Sequence, residues 1–235
     1  MILAVLQARM SSTRLPGKVM KPLLGVPMIL RQLERLRRTR MLDALVVATS
    51  DDPSDDPLAH RLQGEGVATH RGSLNDVLDR FAGAVAAFGP AEHVVRLTAD
   101  CPLADPEVID ACVRLHVEGG FDYTANDHPS TFPRGLDVEV MTAQALRVAA
   151  SEAADPAERE HVTMFLYRRP ERFSIGRLVG AEDLSRLRWT VDTPADFAFV
   201  ERVYARLYPD KPDFTSDDIR ALDFERTEED ASAGR

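Results

Sequence analysis

Ile2-Leu3-Ala4-Val5-Leu6-Gln7-Ala8-Arg9 opens the chain as five apolar residues that run directly into polar ones. A second run of the same kind, Ala44-Leu45-Val46-Val47-Ala48, ends in Thr49-Ser50-Asp51-Asp52. Short runs that are apolar at every position predict strands covered on both faces, the mark of a parallel sheet. Between them Ile29, Leu33 and Leu36 recur at helical spacing while Arg31, Arg35 and Arg38 take other faces, which predicts the crossover helix that parallel strands require.

The same unit recurs outward from this pair. From Ser73 to Phe88 the residues Leu74, Val77, Leu78, Phe81, Val85 and Phe88 form one stripe, and Ser73 with Asp76 reads as a capping box. A third strand, His93 to Thr98, leads into Ala99-Asp100-Cys101-Pro102, after which Asp105 caps a helix with Pro106 at its first position. Strand and helix alternate through residue 120. That alternation predicts an α/β fold, a mostly parallel sheet with helices on both faces and ligands at the carboxyl ends of the strands. Further on, strands are expected at Leu136 to Val140, Phe173 to Leu178 and Leu187 to Val191, and helices at Ala143 to Ala153, at Glu158 to Arg168 and from Thr193-Pro194. The less regular stretch around 120–175 is expected to continue the sheet and add a projecting arm. A disordered tail is expected over 226–235.

With 235 residues, 44% of them hydrophobic, the chain can bury one full core, so a single domain over 1–225 is expected. A net charge of −9 argues against a general nucleic-acid binder, which needs surplus cations to displace counterions from phosphate. Cys101 and Cys112 have neither C-x-x-C spacing nor a His partner and read as small buried hydrophobes. No basic n-region precedes Ile2, and no stretch of 18 apolar residues occurs, so a soluble cytoplasmic protein without membrane association is expected.

The segment from Gln7 to Lys18 follows the first strand and carries three cations, Arg9, Arg14 and Lys18, with three hydroxyls, Ser11, Ser12 and Thr13. Guanidinium groups grip phosphate oxygens in pairs, an ammonium adds a point charge, and backbone N–H groups complete an anion cradle. The loop therefore suits a triphosphate, although it lacks the G-x-x-x-x-G-K-[ST] of a Walker A loop. Asp100 and Asp192 each end an apolar strand and would meet at one sheet edge. Mg²⁺ is usually held by one or two carboxylates, with substrate phosphates and waters completing its octahedron. The plain alternative for Asp192 is capping of the helix at Thr193-Pro194. Asp137 and Glu139 share a strand face and read as a D-x-D-like metal site, an acceptor-binding pair or a solvated surface. His161 reads equally as structural or catalytic. The run Arg35 to Arg40 reads as the solvated end of a helix, where cations suit the macrodipole.

Taken in order, Gln-Ala-Arg-x-x-Ser-Thr-Arg-Leu-Pro-Gly-Lys at 7–18, Ala48-Thr49-Ser50, Arg71-Gly72-Ser73, Asp100-Cys101-Pro102-Leu103, the stretch Pro133 to Glu139, Arg159-Glu160-His161-Val162-Thr163 and Val191-Asp192-Thr193-Pro194-x-Asp196 resemble the cytidylyltransferases that activate sialic-acid-type and 3-deoxy-octulosonate sugars. The resemblance is greatest to their spore-coat polysaccharide biosynthesis branch and spans about residues 1 to 200. It implies a Rossmann-like nucleotide-diphospho-sugar transferase fold (GT-A-like), Mg²⁺, a homodimer, and transfer of CMP from CTP to a sugar or sugar acid. It also implies that Ala8, Arg9, Ser12, Arg14, Lys18, Thr49, Ser50, Arg71, Gly72, Ser73 and Asp100 bind the nucleotide, and that Asp100 and Asp192 hold the metal. Arg134, Asp137, Glu139, Arg159 and His161 would face the acceptor, with Lys18, Arg9, Asp100 and Asp192 carrying the catalysis. Ser11 and Ala99 depart from the pattern, standing where glycine is expected, which puts the loop geometry in question.

Two other functions fit parts of the sequence. A nucleotide-sugar-dependent glycosyltransferase of polysaccharide biosynthesis would take its metal from Asp137 and Glu139 and release a nucleoside diphosphate. A non-catalytic binding subunit would hold CTP without releasing pyrophosphate.

Overall fold

The computed structural model describes residues 1–233. Its seven-stranded sheet runs in the order β5 (Thr69–Gly72), β4 (Ala44–Ser50), β1 (Ile2–Gln7), β6 (His93–Thr98), β8 (Glu139–Thr142), β7 (Tyr123–Ala125) and β9 (Ile175–Arg177). The first four are parallel; β8 is antiparallel to β6 and to β7, and β9 runs parallel to β7. A separate two-stranded ribbon pairs β2 (Pro22–Leu23) with β3 (Val26–Pro27). The helices are α1 (Met28–Leu36), α2 (Asp56–Gly64), α3 (Val77–Phe88), α4 (Pro106–Gly119), α5 (Ala143–Glu152), α6 (Pro156–Glu160), α7 (Met164–Tyr167), α8 (Pro194–Leu207), α9 (Ser216–Arg220) and α10 (Glu228–Ala233).

Alternate residues of a strand face opposite ways, so a strand apolar at every position must be covered twice. In β1, Leu3 and Val5 pack with Leu78 and Phe81 of α3 and Leu146 of α5, while Ala4 and Leu6 pack with Ile29 and Leu33 of α1 and Ile109 of α4. A third cluster around Trp189 gathers Phe197, Val200, Val203 and Tyr204 of α8. The expected caps of α4 and α8 form: Asp105 accepts from Glu107 N, and Thr193 with Asp196 makes a full capping box. At α3 the cap is Asp76 itself, accepting from Asp79 N at 2.9 Å, with Ser73 Oγ accepting from Asp76 N one step earlier. The helix therefore starts at Val77.

Four local expectations fail, each for a tertiary reason. Residues 187–191 make only isolated bridges, Arg134 with Arg188 and Leu187 with Thr227; they cross over the strand ends, and Val191 N donates to Asp100 O at 2.7 Å. The helix expected over 158–168 breaks at His161 because Val162 turns into the core and Thr163 bonds Glu139. Residues 123–177 supply β7, β8 and β9 and the helices packed on them, so most of the expected arm lies in the sheet. In the tail expected to be disordered, Glu228–Ala233 is helical. Arg226 pairs there with Asp196 at 3.2 Å, and Arg188 with Glu228 at 3.0 Å; residues 234 and 235 lie outside the described chain.

Arg35 also departs from expectation. It is 2% exposed, stacks 4.1 Å from the Phe214 ring and donates to Ala104 O, so only the end of the basic run beyond it is solvated.

The Pro133–Leu136 turn is held against 187–190 by Arg134 N to Leu187 O at 2.9 Å and Trp189 N to Arg134 O at 2.7 Å. Gly135 makes that approach possible: its φ is +110°, and a Cβ there would sit 2.6 Å from Thr190 N. Gly135→Ala should lower stability by on the order of 2 kcal/mol or more. Urea unfolding would show this as a lower midpoint, and an unchanged midpoint would contradict it.

Candidate active site

The chain leaves β1 toward β4 on one side and returns through β6 on the other, so the loops after β1 and β6 part and leave a crevice at their carboxyl ends. A cleft of about 340 Å³ opens there, lined by Gln7, Ala8, Arg9, Ser11, Ser12, Thr13, Arg14 and Lys18 from the first loop, by Arg96, Thr98, Ala99 and Asp100 from the second, and by Asp192. The first loop is folded around one carbonyl, Met10 O, which accepts from Ser12 N and Gly17 N at 2.9 Å each. Gly17, with φ +68°, then turns the chain into the short 3₁₀ segment that sends Lys18 inward. Ser11 and Ala99 both keep negative φ, so glycine is not required at either position and the departures leave the loop unstrained.

Lys18 Nζ donates to Val191 O at 2.6 Å and lies 3.2 Å from Asp192 Oδ1 and 3.4 Å from Asp100 Oδ2. The two carboxylates thus converge on a single cationic point. Arg14 reaches Asp192 Oδ1 at 3.0 Å, and buried Arg188 reaches Oδ2 at 2.7 Å. Burial alone would raise the Asp192 pKa, but Lys18, Arg14 and Arg188 outweigh it and hold the carboxyl below the usual aspartate range. Asp192 does not cap α8; Thr193 does, while Asp196 accepts from the Asp192 N–H at 3.1 Å. Asp100 is less occupied, with a side chain about a third exposed to the cleft. Among the described residues no group of three or more His, Cys, Asp or Glu could hold a metal, so a cation here would need oxygens from a ligand.

The pattern of the Cytidylyltransferase family matches residues 3–215. The chain belongs to that family. The spore coat polysaccharide biosynthesis protein SpsF of Bacillus subtilis (strain 168) is 33% identical, covering 94% of this chain and 93% of that protein. The 3-deoxy-manno-octulosonate cytidylyltransferase of Anaeromyxobacter sp. (strain K) is 29% identical, covering 90% and 93%. The structure of a cytidylyltransferase from Leptospira borgpetersenii serovar Hardjo-bovis superposes with a TM-score of 0.87 at 32% identity, covering 93% of this chain and 92% of that one. As a cytidylyltransferase the chain is a nucleotidyltransferase, not a glycosyltransferase.

In this cytidylyltransferase the other expected site residues divide into several places. Thr49 and Ser50 do not line the cleft: both are fully buried at the end of β4. Ser50 is held by Asp55, whose carboxylate accepts from Ser50 N, Ser50 Oγ and, at 2.6 Å, Met10 N. Asp55 therefore locks the β4 end to the cationic loop, a role with no sequence signal beyond an acid after a strand. Arg71 is not among the residues that line the cleft; it donates to Ser50 O at 2.9 Å and pairs with Asp56 at 2.7 Å, and Gly72 and Ser73 follow it at the end of β5.

The five expected acceptor residues are not one cluster. Glu139 is buried, with its carboxylate used by Arg96, Thr163 and the Tyr123 hydroxyl, so the reading of it as acceptor-facing or as half of a D-x-D metal site is corrected to a structural anchor for Arg96. Arg159 pairs with Asp76 at 2.5 Å and donates to Ala150 O, which corrects it to a clamp between α6 and the α3 cap. His161 is exposed and its ring makes no hydrogen bond among the described residues. Arg134 is exposed, 3.4 Å from Glu228. Asp137 accepts from Gly135 N at 3.1 Å, and burial, with the nearby charges of Asp127 and Asp100, pushes its pKa to about 6.

A carboxyl whose folded pKa is raised binds extra protons in the folded state between its ordinary 3.8 and about 6. Folding stability should therefore fall as pH rises through that window and stay lower above it, and Asp137→Asn should remove that step in pH-resolved urea melts. Asp55→Ala would leave Met10 N and the Ser50 donors unpaired, a loss of on the order of 3 kcal/mol. A variant as stable as the parent would deny Asp55 this locking role.

Proposed function

We propose that this cytidylyltransferase transfers CMP from CTP to a hydroxyl of a sugar or sugar acid and releases pyrophosphate, supplying a precursor for a surface polysaccharide. The observation that carries this reading is the cleft itself: Arg9, Arg14 and Lys18 close over one side of a switch-point crevice, and Asp100 and Asp192 meet there on one cation. A triphosphate placed along the three cations has its α-phosphorus at the strand ends, where in-line attack by an acceptor hydroxyl expels pyrophosphate. Positioning and charge neutralisation supply most of the rate in such transfers. Among the family relatives, the names of SpsF and of the 3-deoxy-manno-octulosonate enzyme favour a polysaccharide sugar or sugar acid as acceptor.

Mg²⁺ fits the donor set. Two carboxylates already share one cationic centre, both are hard oxygen ligands, and phosphate oxygens would complete the shell. Asp100 and Asp192 would hold the ion, which when bound neutralises charge on the phosphates. Arg134 and Asp137, on the Asp100 side, would meet the acceptor, and the end of β5, with Arg71, Gly72 and Ser73, would lie toward the base, while buried Thr49 and Ser50 would support that wall from behind. Among the described residues no helix is long and apolar enough to cross a membrane. Cys101 and Cys112 are both free, buried thiols, in keeping with a cytoplasmic enzyme. We expect a homodimer, as in the sugar-acid enzymes that the sequence resembles, and sedimentation of a monomer at micromolar concentration would count against it.

Calorimetric titration of each of the four NTPs, with and without Mg²⁺, should show selective and metal-strengthened binding of CTP. With an acceptor found by screening sugars and sugar acids for pyrophosphate release, Asp100→Asn and Asp192→Asn should each lower kcat/KM on the order of 10²-fold. Near-parental turnover in both variants would overturn the metal assignment, and failure to bind any NTP would overturn the proposed activity.

A further inference from the structure

The sheet face that carries α3 and α5 changes character toward the cleft. Leu3 and Val5 of β1, Val94 of β6 and Met141 of β8 pack into the apolar core on that face. Strand alternation then brings Gln7, Arg96, Thr98 and Glu139 to the same face at the cleft end. Gln7, Arg96 and Thr98 line the cleft, and Glu139 is the register partner of Arg96 across β6 and β8. The floor of the cleft is therefore polar and built around one arginine.

Glu139 holds that arginine by one end only. Its buried carboxylate takes Arg96 Nη1, the Tyr123 hydroxyl at 2.7 Å and the Thr163 hydroxyl, so the guanidinium is fixed from behind. The opposite edge is open. Buried Nε has no partner among the described residues, and Nη2 meets only Gln7 Oε1 at 3.4 Å, longer than a good N–H···O bond. Nε–H and Nη2–H point the same way in one plane, the fork that matches the two oxygens of a carboxylate. A single hydroxyl would leave one of them unpaired. Arg35 and Arg80 also keep unpaired nitrogens, but neither lines this cleft. The cations assigned to phosphate, Arg9, Arg14 and Lys18, all come from the first loop, which leaves Arg96 on the strand floor for the second substrate.

We propose that the Nε–Nη2 edge of Arg96 receives a carboxylate of the acceptor, so that the enzyme takes sugar acids over neutral sugars. The inference rests on the proposed CMP transfer and deepens it by naming the acceptor class and the residue that selects it. The carboxylate replaces the weak Gln7 contact and supplies Nε with its missing acceptor, while Glu139 keeps Nη1. Arg96 and Asp100 line the same cleft from β6 and the turn after it, so an acid anchored on Arg96 lies beside a carboxylate assigned to the metal. A neutral sugar leaves a buried donor unpaired, and that penalty is the source of the discrimination.

The test is pyrophosphate release from CTP with matched pairs of acceptors, each pair a sugar acid and the neutral sugar that has a hydroxymethyl group in place of its carboxylate. The parent is compared with Arg96→Lys and with the double variant Arg96→Gln, Glu139→Gln, and thermal melts show which variants are folded. Lysine keeps a charge beside Glu139 but lacks the fork; the double variant removes both charges, so neither is left buried alone. The parent should turn over an acid and reject its neutral counterpart. Each folded variant should raise KM for that acid roughly 30-fold or more, the scale of charge-assisted hydrogen bonds, while its calorimetric affinity for CTP stays close to parental. If the parent uses neutral sugars as readily as acids, if Arg96→Lys keeps the parental KM, or if the folded variants lose CTP binding as well, the assignment of Arg96 is wrong while the proposed CMP transfer stands. Absence of pyrophosphate release from the parent with every acid and every neutral sugar would instead fail the proposed transfer itself.

Discussion

The ammonium of Lys18 sets the terms for the whole cleft. It is nearly buried, and it bonds a carbonyl and two carboxylates from segments 82 and 173 or 174 residues away in the chain. Burying one charge in this way is costly unless the partners are close and well directed, so the first loop, the end of β6 and the 187–192 crossing must hold their relative places. Gly17 turns Lys18 inward, Val191 N bonds Asp100 O, and Gly135 lets the Pro133–Leu136 turn press against Trp189 and Thr190. Gly17 adjoins Lys18, the other two contacts join segments remote in sequence, and all three serve the same convergence.

Asp192 shows how such a site keeps charge ready. Its carboxylate is surrounded by Lys18, Arg14 and Arg188, and Arg188 is in turn divided among Asp192, Asp196 and Glu228. The carboxyl stays ionised because the cations outweigh its burial. In the proposed reaction a triphosphate draws Arg14 and Lys18 toward itself, which frees one oxygen of Asp192 while Arg188 retains the other. The exchange trades carboxylate for phosphate around the same cations, so little net charge is left unpaired at any stage.

Much of this was readable from local pattern. The β1 and β4 runs, the stripe of α3, the Asp105 cap and the Thr193-Pro194 start all depend on contacts within a few residues. The cationic loop was legible for the same reason, since Arg9, Arg14 and Lys18 stand close together in sequence. What escaped were roles assigned by distant partners. Glu139 and Asp137 stand on alternate positions, yet one is consumed by Arg96, Tyr123 and Thr163 while the other faces Asp127 and Asp100. Arg159 reads like an acceptor ligand and clamps Asp76. Asp55 carries no motif and holds the floor of the first loop.

By itself, then, the sequence determined the alternating strands and helices, the place of the cationic loop after β1, and the family, because hydrophobic period, capping and motif order are properties of neighbouring residues. Only the tertiary structure decided that Asp100 and Asp192 share one cation, that Asp192 is not a helix cap, that residues 187–191 cross over the sheet instead of joining it, and that Glu139 holds Arg96 at the floor of the cleft. Those outcomes depend on which charges and backbone groups meet after folding, and neither spacing nor composition along the chain records that.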